Sequence, residues 1–426
     1  MRGSVTLQMY KHKLRGSVVV GVSLAVLLGA TGCLPAGEQS GAQRVDVGEP
    51  LMTASDSTAG EGLFPGFDVN SEVRIDSTPF AVGGSFIGSA FPRDGRSMLS
   101  FYGFDATGTT WRVDTNPTCV GTAPTQVRGE AAIVILDSST RNDGQGVSIT
   151  VATAFSAADG DVLWGPTEVP GPSSGTGLLF ANTPKALTSE RTPATLLDAA
   201  SGAVVDESAG PALYEHHGTA LEGTADNFSA IDSRSGETLW ASAELSPDPF
   251  GVSPAASARY EGSYGPSTGG LVIVEWADPA GAVAPVSVIH DLRTGAPLGR
   301  VDGTPSGIAA VDDASQTVLF TSQYAEGGYV VTAARPGKGL LWAKEFASQA
   351  QVSTIGAGMV YAQVDGQAAR IDLDSGTILT SGQYTLPMAM LPNGTALFPT
   401  DQAGTYTVAT PRKMPAARQT GPSSVR

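Results

Sequence analysis

Ala230-Ile231-Asp232-Ser233-Arg234-Ser235-Gly236, followed by Trp240, is the stretch on which the fold turns. An apolar strand runs into Asp232, whose carboxylate caps the amides of a tight turn; Gly236 takes the positive φ that other residues resist, and the chain reverses into an outgoing strand that carries the tryptophan. The arrangement returns elsewhere. Phe104-Asp105-Ala106-Thr107-Gly108 leads to Trp111. Leu197-Asp198-Ala199-Ala200-Ser201-Gly202, His290-Asp291-Leu292-Arg293-Thr294-Gly295 and Ile371-Asp372-Leu373-Asp374-Ser375-Gly376 repeat the turn without the tryptophan. Two degenerate turns keep it: Ser156-Ala157-Ala158-Asp159-Gly160 before Trp164, and Arg335-Pro336-Gly337-Lys338-Gly339 before Trp342.

Four of the five tryptophans thus occupy one place in the repeat, three or four residues past the glycine. Side chains placed by function would scatter, so each is expected to pack in the seam between adjacent repeats; Trp276, inside Leu271-Val272-Ile273-Val274-Glu275-Trp276, stands outside the rule. The turn glycines are spaced about 45 residues apart on average, the length of a four-stranded propeller blade. A further unit follows Gly376, with strands at 396–400 and 405–410 around Asp401-Gln402-Ala403-Gly404, and it lacks an outer strand. Glu72-Val73-Arg74-Ile75 is the candidate that supplies it and closes the ring. The expectation is an all-β propeller of four-stranded blades, eight in number with seven as the alternative.

Composition agrees with a chain that turns often: 53 Gly and 28 Pro in 426 residues. The formal charge is −16, and residues 1–33 hold four cations (Arg2, Lys11, Lys13, Arg15) and no acid, so the remainder is more acidic still. Such a surface repels phosphate backbones, and no basic patch offsets it; nucleic acid is excluded as a partner.

The amino terminus reads as an address. A basic segment to Arg15 precedes the uncharged run GSVVVGVSLAVLLGATG, residues 16–32, which stops at Cys33. It is shorter than the roughly 20 apolar residues that span a bilayer, and small residues close it, as in a cleaved export signal. Ala30-Thr31-Gly32-Cys33 resembles the lipobox of bacterial lipoproteins, with Ala30 where leucine is commonest; the resemblance implies a signal peptide over 1–32, acylation of Cys33 and a place at the extracytoplasmic face of the cell membrane. Residues 33–63 then read as a lipidated cysteine and flexible tether, 64–412 as the propeller and 413–426 as a disordered tail. The other cysteine, Cys119, is left without a disulfide partner.

The repeat as a whole is similar to the pyrroloquinoline-quinone-like (PQQ-like) repeat, which builds eight-bladed propellers in quinoprotein dehydrogenases and in the lipoprotein subunit of the bacterial outer-membrane protein assembly machine. The resemblance implies the fold, with Asp105, Gly108, Trp111, Trp164, Asp198, Gly202, Asp232, Gly236, Trp240, Asp291, Gly295, Trp342, Asp372 and Gly376 as blade-packing positions. The dehydrogenases hold quinone beneath adjacent cysteines and use an Asp base with calcium. This chain has no vicinal cysteines and no run of Asp at calcium-loop spacing, so no cofactor and no metal are expected.

Other chemistry is thin. His216-His217 is the remaining metal-like motif, but neighbours on a strand point to opposite faces unless a loop intervenes. His290 precedes a turn Asp and is expected to pack there, and no nucleophile elbow or phosphate-cradling loop is found. The expected function is therefore non-catalytic: a lipid-anchored binding or scaffold protein for cell-envelope proteins or peptides. The insertion Ser246 to Gly270, carrying Phe250, Tyr260 and Tyr264, is the candidate recognition loop. The alternative is a propeller enzyme, quinoprotein-like or hydrolytic, which would bring His216, Asp226 and neighbouring carboxylates to one pocket.

Overall fold

The computed structural model describes residues 42–47, 51–54, 62–91, 98–116, 121–140, 147–173, 177–181, 194–205, 210–246, 250–253, 255–262, 267–278, 281, 284–324 and 326–412. Cys33, Cys119, Tyr264, the export signal over 1–32 and the tail over 413–426 lie outside the described residues. Antiparallel sheets follow one another along the chain, each a meander of neighbouring strands, as expected of a propeller.

Blade 1 comprises Phe80–Val82, Ser85–Ala90, Leu99–Asp105 and Gly108–Thr115. Blade 2 runs from Thr122–Val127 to Val162–Val169, blade 4 from Ala212–His216 to Thr238–Ala241, blade 5 from Ser257–Tyr260 to Pro297–Val301, blade 6 from Thr304–Asp312 to Gly339–Phe346 and blade 7 from Gln351–Gly356 to Ile378–Gly382. The last blade takes Ala389–Met390, Ala396–Pro399 and Thr405–Pro411 from the carboxyl end and Phe67–Arg74 from the amino end. The expected donor is the strand that closes the ring: Glu72 pairs with Thr407, Val73 with Tyr406 and Arg74 with Thr405.

Among the described residues there are therefore seven complete four-stranded blades, the alternative count. The remaining repeat, between blades 2 and 4, is reduced among the described residues to Leu179–Ala181 and Ala194–Leu196, flanked by single bridges from Ser173 to Phe180 and from Leu197 to Val204. Pro170 and Pro172 carry no amide donors, and the Pro172 carbonyl accepts from the Ala181 amide at 2.9 Å.

The tryptophans explain how blades are joined. Trp111, Trp164, Trp240 and Trp342 each donate their indole N–H to a backbone carbonyl in the turn of the next repeat: Ala157, Ala199, Leu292 and Leu373, at 2.8–2.9 Å. The acceptor always follows the residue that opens the turn. In the fully formed turns that residue is Asp, whose side chain caps amides two and three residues on, as at Asp232 with Arg234 and Ser235 and at Asp291 with Arg293 and Thr294. The turn glycine donates its own amide back to the opening residue and lies beneath the incoming indole. The seam placement expected from the repeat is what the structure has.

The stretch expected as a flexible tether is corrected in two places. Gln43–Val45 adds a fifth strand outside blade 1, pairing Gln43 with Asp114 and Val45 with Arg112, and Met52–Ala54 adds one outside Phe67–Arg74 of the closing blade. Ala42 is buried in the cluster that contains Trp111 and Phe155, and Arg44 donates to the Asp159 carbonyl in the blade 2 turn. Leu51 and Met52 pack against the blade 1 and closing-blade core. Apolar and hydrogen-bonding residues embedded among Gly, Ser and acids suffice to dock these short pieces.

Gly202 and Gly236 form a matched pair for testing the seam. Both have φ of +70°, but a Cβ on Gly202 would sit 2.3 Å from the Trp164 ring, whereas one on Gly236 meets nothing within 4 Å, because the abbreviated repeat before it supplies no tryptophan. Gly236→Ala is expected to cost about 1 kcal/mol through the backbone alone. Gly202→Ala adds overpacking and should cost about 2–4 kcal/mol in total. Comparison of their denaturation midpoints checks this; equal losses would contradict the seam account.

Candidate functional site

The innermost strands of the blades enclose a cavity of about 570 Å³. Its wall is contributed by residues such as Ala81, Ala123, Ala310, Ile355 and Met390, from blades 1, 2, 6, 7 and the closing blade, so small side chains on the inner strands leave the space open. Asp312 and Asp313 line it where blade 6 makes its first turn. That end of the ring also carries the Asp-to-Gly turns, because strands alternate in direction and the first and third turns of each blade fall on the same side.

Polar groups cluster around this end. Glu215, on the inner strand of blade 4, accepts amide hydrogens from Leu178 and Gly218, each at 2.7 Å, and so ties the abbreviated repeat to its neighbour. Gly177 must be glycine for this, since a Cβ there would lie 2.2 Å from the Glu215 carboxylate. Complete burial, together with the Asp198 charge, outweighs the two amide donors and lifts the Glu215 carboxyl to about 7. Tyr214 donates to the Gly269 carbonyl at 2.6 Å. His216 Nε2 meets the Gln316 side chain at 3.0 Å, reaching from blade 4 to the blade 6 turn.

The histidine pair departs from the alternation expected of a strand. His216 ends the strand, and His217 has φ of +47°, which swings its ring over that of His216 to a centroid distance of 3.7 Å. Burial, and then the neighbouring imidazole, depress His217 to about 3, so the stack is neutral. Among the described residues no group of three His, Cys, Asp or Glu side chains is placed to hold a metal ion.

Asp226 does not join them. It lies in the turn after Thr219–Gly223, at the opposite end of the strand that begins next to His217, so the convergence an enzyme reading would need is not formed by this pair. Asp226 instead faces Arg259 at 3.7 Å on the rim of a second concavity of about 710 Å³. This cleft is built by the short 3₁₀ helix Ser242–Glu244 and the segment up to Ala258, with Leu245, Val252, Ala256 and Trp276 as its apolar lining.

The candidate recognition loop contributes to the cleft, but its aromatic residues do not serve as expected. Tyr260 is 5% exposed, on the inner strand of blade 5 and against Phe228 and Trp240, so it is a core residue. Phe250 packs partly buried on the same cluster. Trp276, the tryptophan outside the repeat, donates to His290 Nε2 at 3.4 Å, and His290 Nδ1 bonds the Gly295 carbonyl at 2.9 Å; the imidazole is buried and neutral, packed where the sequence placed it.

A quinone does not fit the central cavity. Pyrroloquinoline quinone is a polycarboxylate, and among the described residues the lining offers Asp312 and Asp313 and no Lys or Arg, so like charges would face each other. Glu215, Asp312 and Asp313 escaped sequence reasoning. The adjacent acids after an apolar strand were a legible signal; the burial of Glu215 was not, because it depends on Leu178 from another repeat.

The fold and these sites define a β-propeller of PQQ-like repeats. The chain belongs to the family whose model is described as outer membrane protein assembly factor BamB, matched over residues 149–381. Among solved structures it is similar to the β-propeller domain of Myceliophteria thermophila Cps50 (Swd1), at 10% identity over 79% of this chain and 99% of that one with a TM-score of 0.33. It is also similar to the WD40 domain of Toxoplasma gondii coronin (12% identity, 81% and 90% covered, TM-score 0.30). A third is the dihydro-heme d1 dehydrogenase NirN in complex with DHE (13%, 79% and 72%, TM-score 0.38). No curated protein matches.

Glu215 makes a pH prediction. A folded pKa raised from 4.5 to about 7 means that the folded state holds the proton more tightly, so this group's contribution to stability is present in acid and lost as pH rises from 4.5 through 7. The depressed His217 acts in the opposite sense below 6.5. Glu215→Gln keeps one amide acceptor and turns an N–H toward the other donor, at a cost of about 1–3 kcal/mol. The gap between wild type and Glu215→Gln should narrow as pH rises from 4.5 to 7.5; a constant gap in urea titrations at several pH values would contradict this.

Proposed function

We propose that this propeller is a non-catalytic binding or scaffold protein of the cell envelope, held by acyl chains on Cys33 at the extracytoplasmic face of the membrane, with a protein or peptide as its partner. The observation that carries the binding reading is how the chemistry-bearing groups are used. Glu215 is spent on two backbone amides, Tyr214 on a carbonyl, His216 on Gln316 and Asp312 on Ser315, whereas the cleft between blades 4 and 5 presents Leu245, Val252, Ala256 and Trp276 behind a polar rim. An apolar floor with a wet rim suits protein recognition. The family's description as an assembly factor supports the same reading.

Two measurements test it separately. Cells fed a fatty-acid analogue should label the wild-type protein and not Cys33→Ala; label retained by Cys33→Ala would overturn the anchor and leave the partner reading untouched. A photo-cross-linking residue at Ser253, in the cleft, is expected to capture a partner in intact membranes, whereas one at Ser235, in the exposed blade 4 turn at the opposite end, is not. Equal capture at both, or none at Ser253, would remove the cleft as the docking site.

A further inference from the structure

The central cavity carries a charge asymmetry that the partner cleft does not use. Its lining is largely small and apolar, with Ala81, Ala123, Ala310, Gly356, Ala389 and Met390 among the contributors. Asp312 and Asp313 stand together in that wall, and among the described residues no Lys, Arg or His lines the cavity. The two carboxylates are not equivalent. Asp312 is buried, and its Oδ2 accepts from the Ser315 amide at 3.0 Å and from the Ser315 hydroxyl. Asp313 is exposed to the cavity, and no described residue donates a hydrogen bond to its carboxylate. Its backbone carbonyl is engaged by the Gln316 amide at 2.7 Å, which holds the turn in place. Partial desolvation by the cavity wall, followed by the charge of Asp312, raises the Asp313 carboxyl to about 6.

We infer that the cavity binds an aliphatic cation, an ammonium or guanidinium group on a slender hydrocarbon stem, with its head at Asp313 and its stem along Ala310, Ala389 and Met390. The cavity volume of about 570 Å³ falls within the range that holds small ligands. A bare metal ion would be short of ligands, because among the described residues no group of three His, Cys, Asp or Glu side chains is placed to hold one. An alkyl cation needs one charged acceptor and an apolar wall, and both are present. An anion is opposed by the carboxylate pair and by the net charge of −16. This inference is independent of the membrane anchor and of any partner at the outer cleft.

Calorimetric titration of the full chain with hexylamine, 1-hexanol and hexanoate tests it, because the three probes share a stem and differ in charge. Hexylamine is expected to bind and the other two are not. Asp313→Asn should weaken hexylamine binding by about tenfold, whereas Asp401→Asn, on an exposed loop of the closing blade, should leave it unchanged. Comparison of hexylamine with an acetylated Gly-Lys-Gly peptide distinguishes a free amine from a lysine side chain as the source of the cation. Equal binding of hexanol, no binding of hexylamine, or unchanged affinity in Asp313→Asn would overturn the proposal. Should Asp313→Asn fail to fold, the three-probe series on the wild type decides alone.

Discussion

One hydrogen bond, repeated at four seams, joins neighbouring repeats: an indole N–H on the outer strand of one blade reaches a main-chain carbonyl in the turn of the next. The bond is directional, so it sets the stagger between sheets as well as their contact. It also couples two positions distant in sequence, 46 residues for Trp111 to Ala157 and 52 for Trp240 to Leu292. The turn must therefore satisfy two demands at once, reversing the chain and leaving room for a ring. Glycine meets both, which is why Asp, Gly and Trp travel together through the repeat. Where the tryptophan is missing the surroundings differ: the Leu298 carbonyl lies near Gly339, whereas the space beside Gly236 is open.

This dependence made the fold legible and the sites less so. Turn chemistry is local, so Asp232 and Gly236 declare themselves within seven residues, and the regular return of Trp declares the seam. Ring closure by 72–75 was equally readable, since a terminal unit short of one strand demands a donor. The number of complete blades was not legible, because the turn Leu197 to Gly202 reads like the others although the described strands around it are short. The candidate aromatic loop failed at Tyr260 for a different reason. Pro and Gly around it resemble an insertion, but Ser257–Tyr260 is itself an inner strand, and an inner strand buries its aromatic residue. Glu215 could not be read at all, because what makes it unusual is an amide contributed by a different repeat.

The two ends of the ring have come out chemically different. One gathers the short Asp-to-Gly turns, the Asp312–Asp313 pair and the neutral histidine stack; the other carries the longer segment that shapes the cleft beside Trp276. Short turns expose the axial cavity, whereas a long connection builds a wall beside it. Division of this kind lets one ring present an axial pocket and a lateral surface without either constraining the other, because each blade's strands run the full distance between them.

The docked strands at 43–45 and 52–54 bear on what the amino terminus can do. The closing seam has no tryptophan of its own, and this segment crosses it, joining the rim of the first blade to the rim of the last. Between Cys33 and Ala42 lie only residues 34–41, which fully extended reach no more than about 30 Å. The first and last blades are linked at their outer edges by the main-chain pairing of these docked strands, where four other seams use an indole.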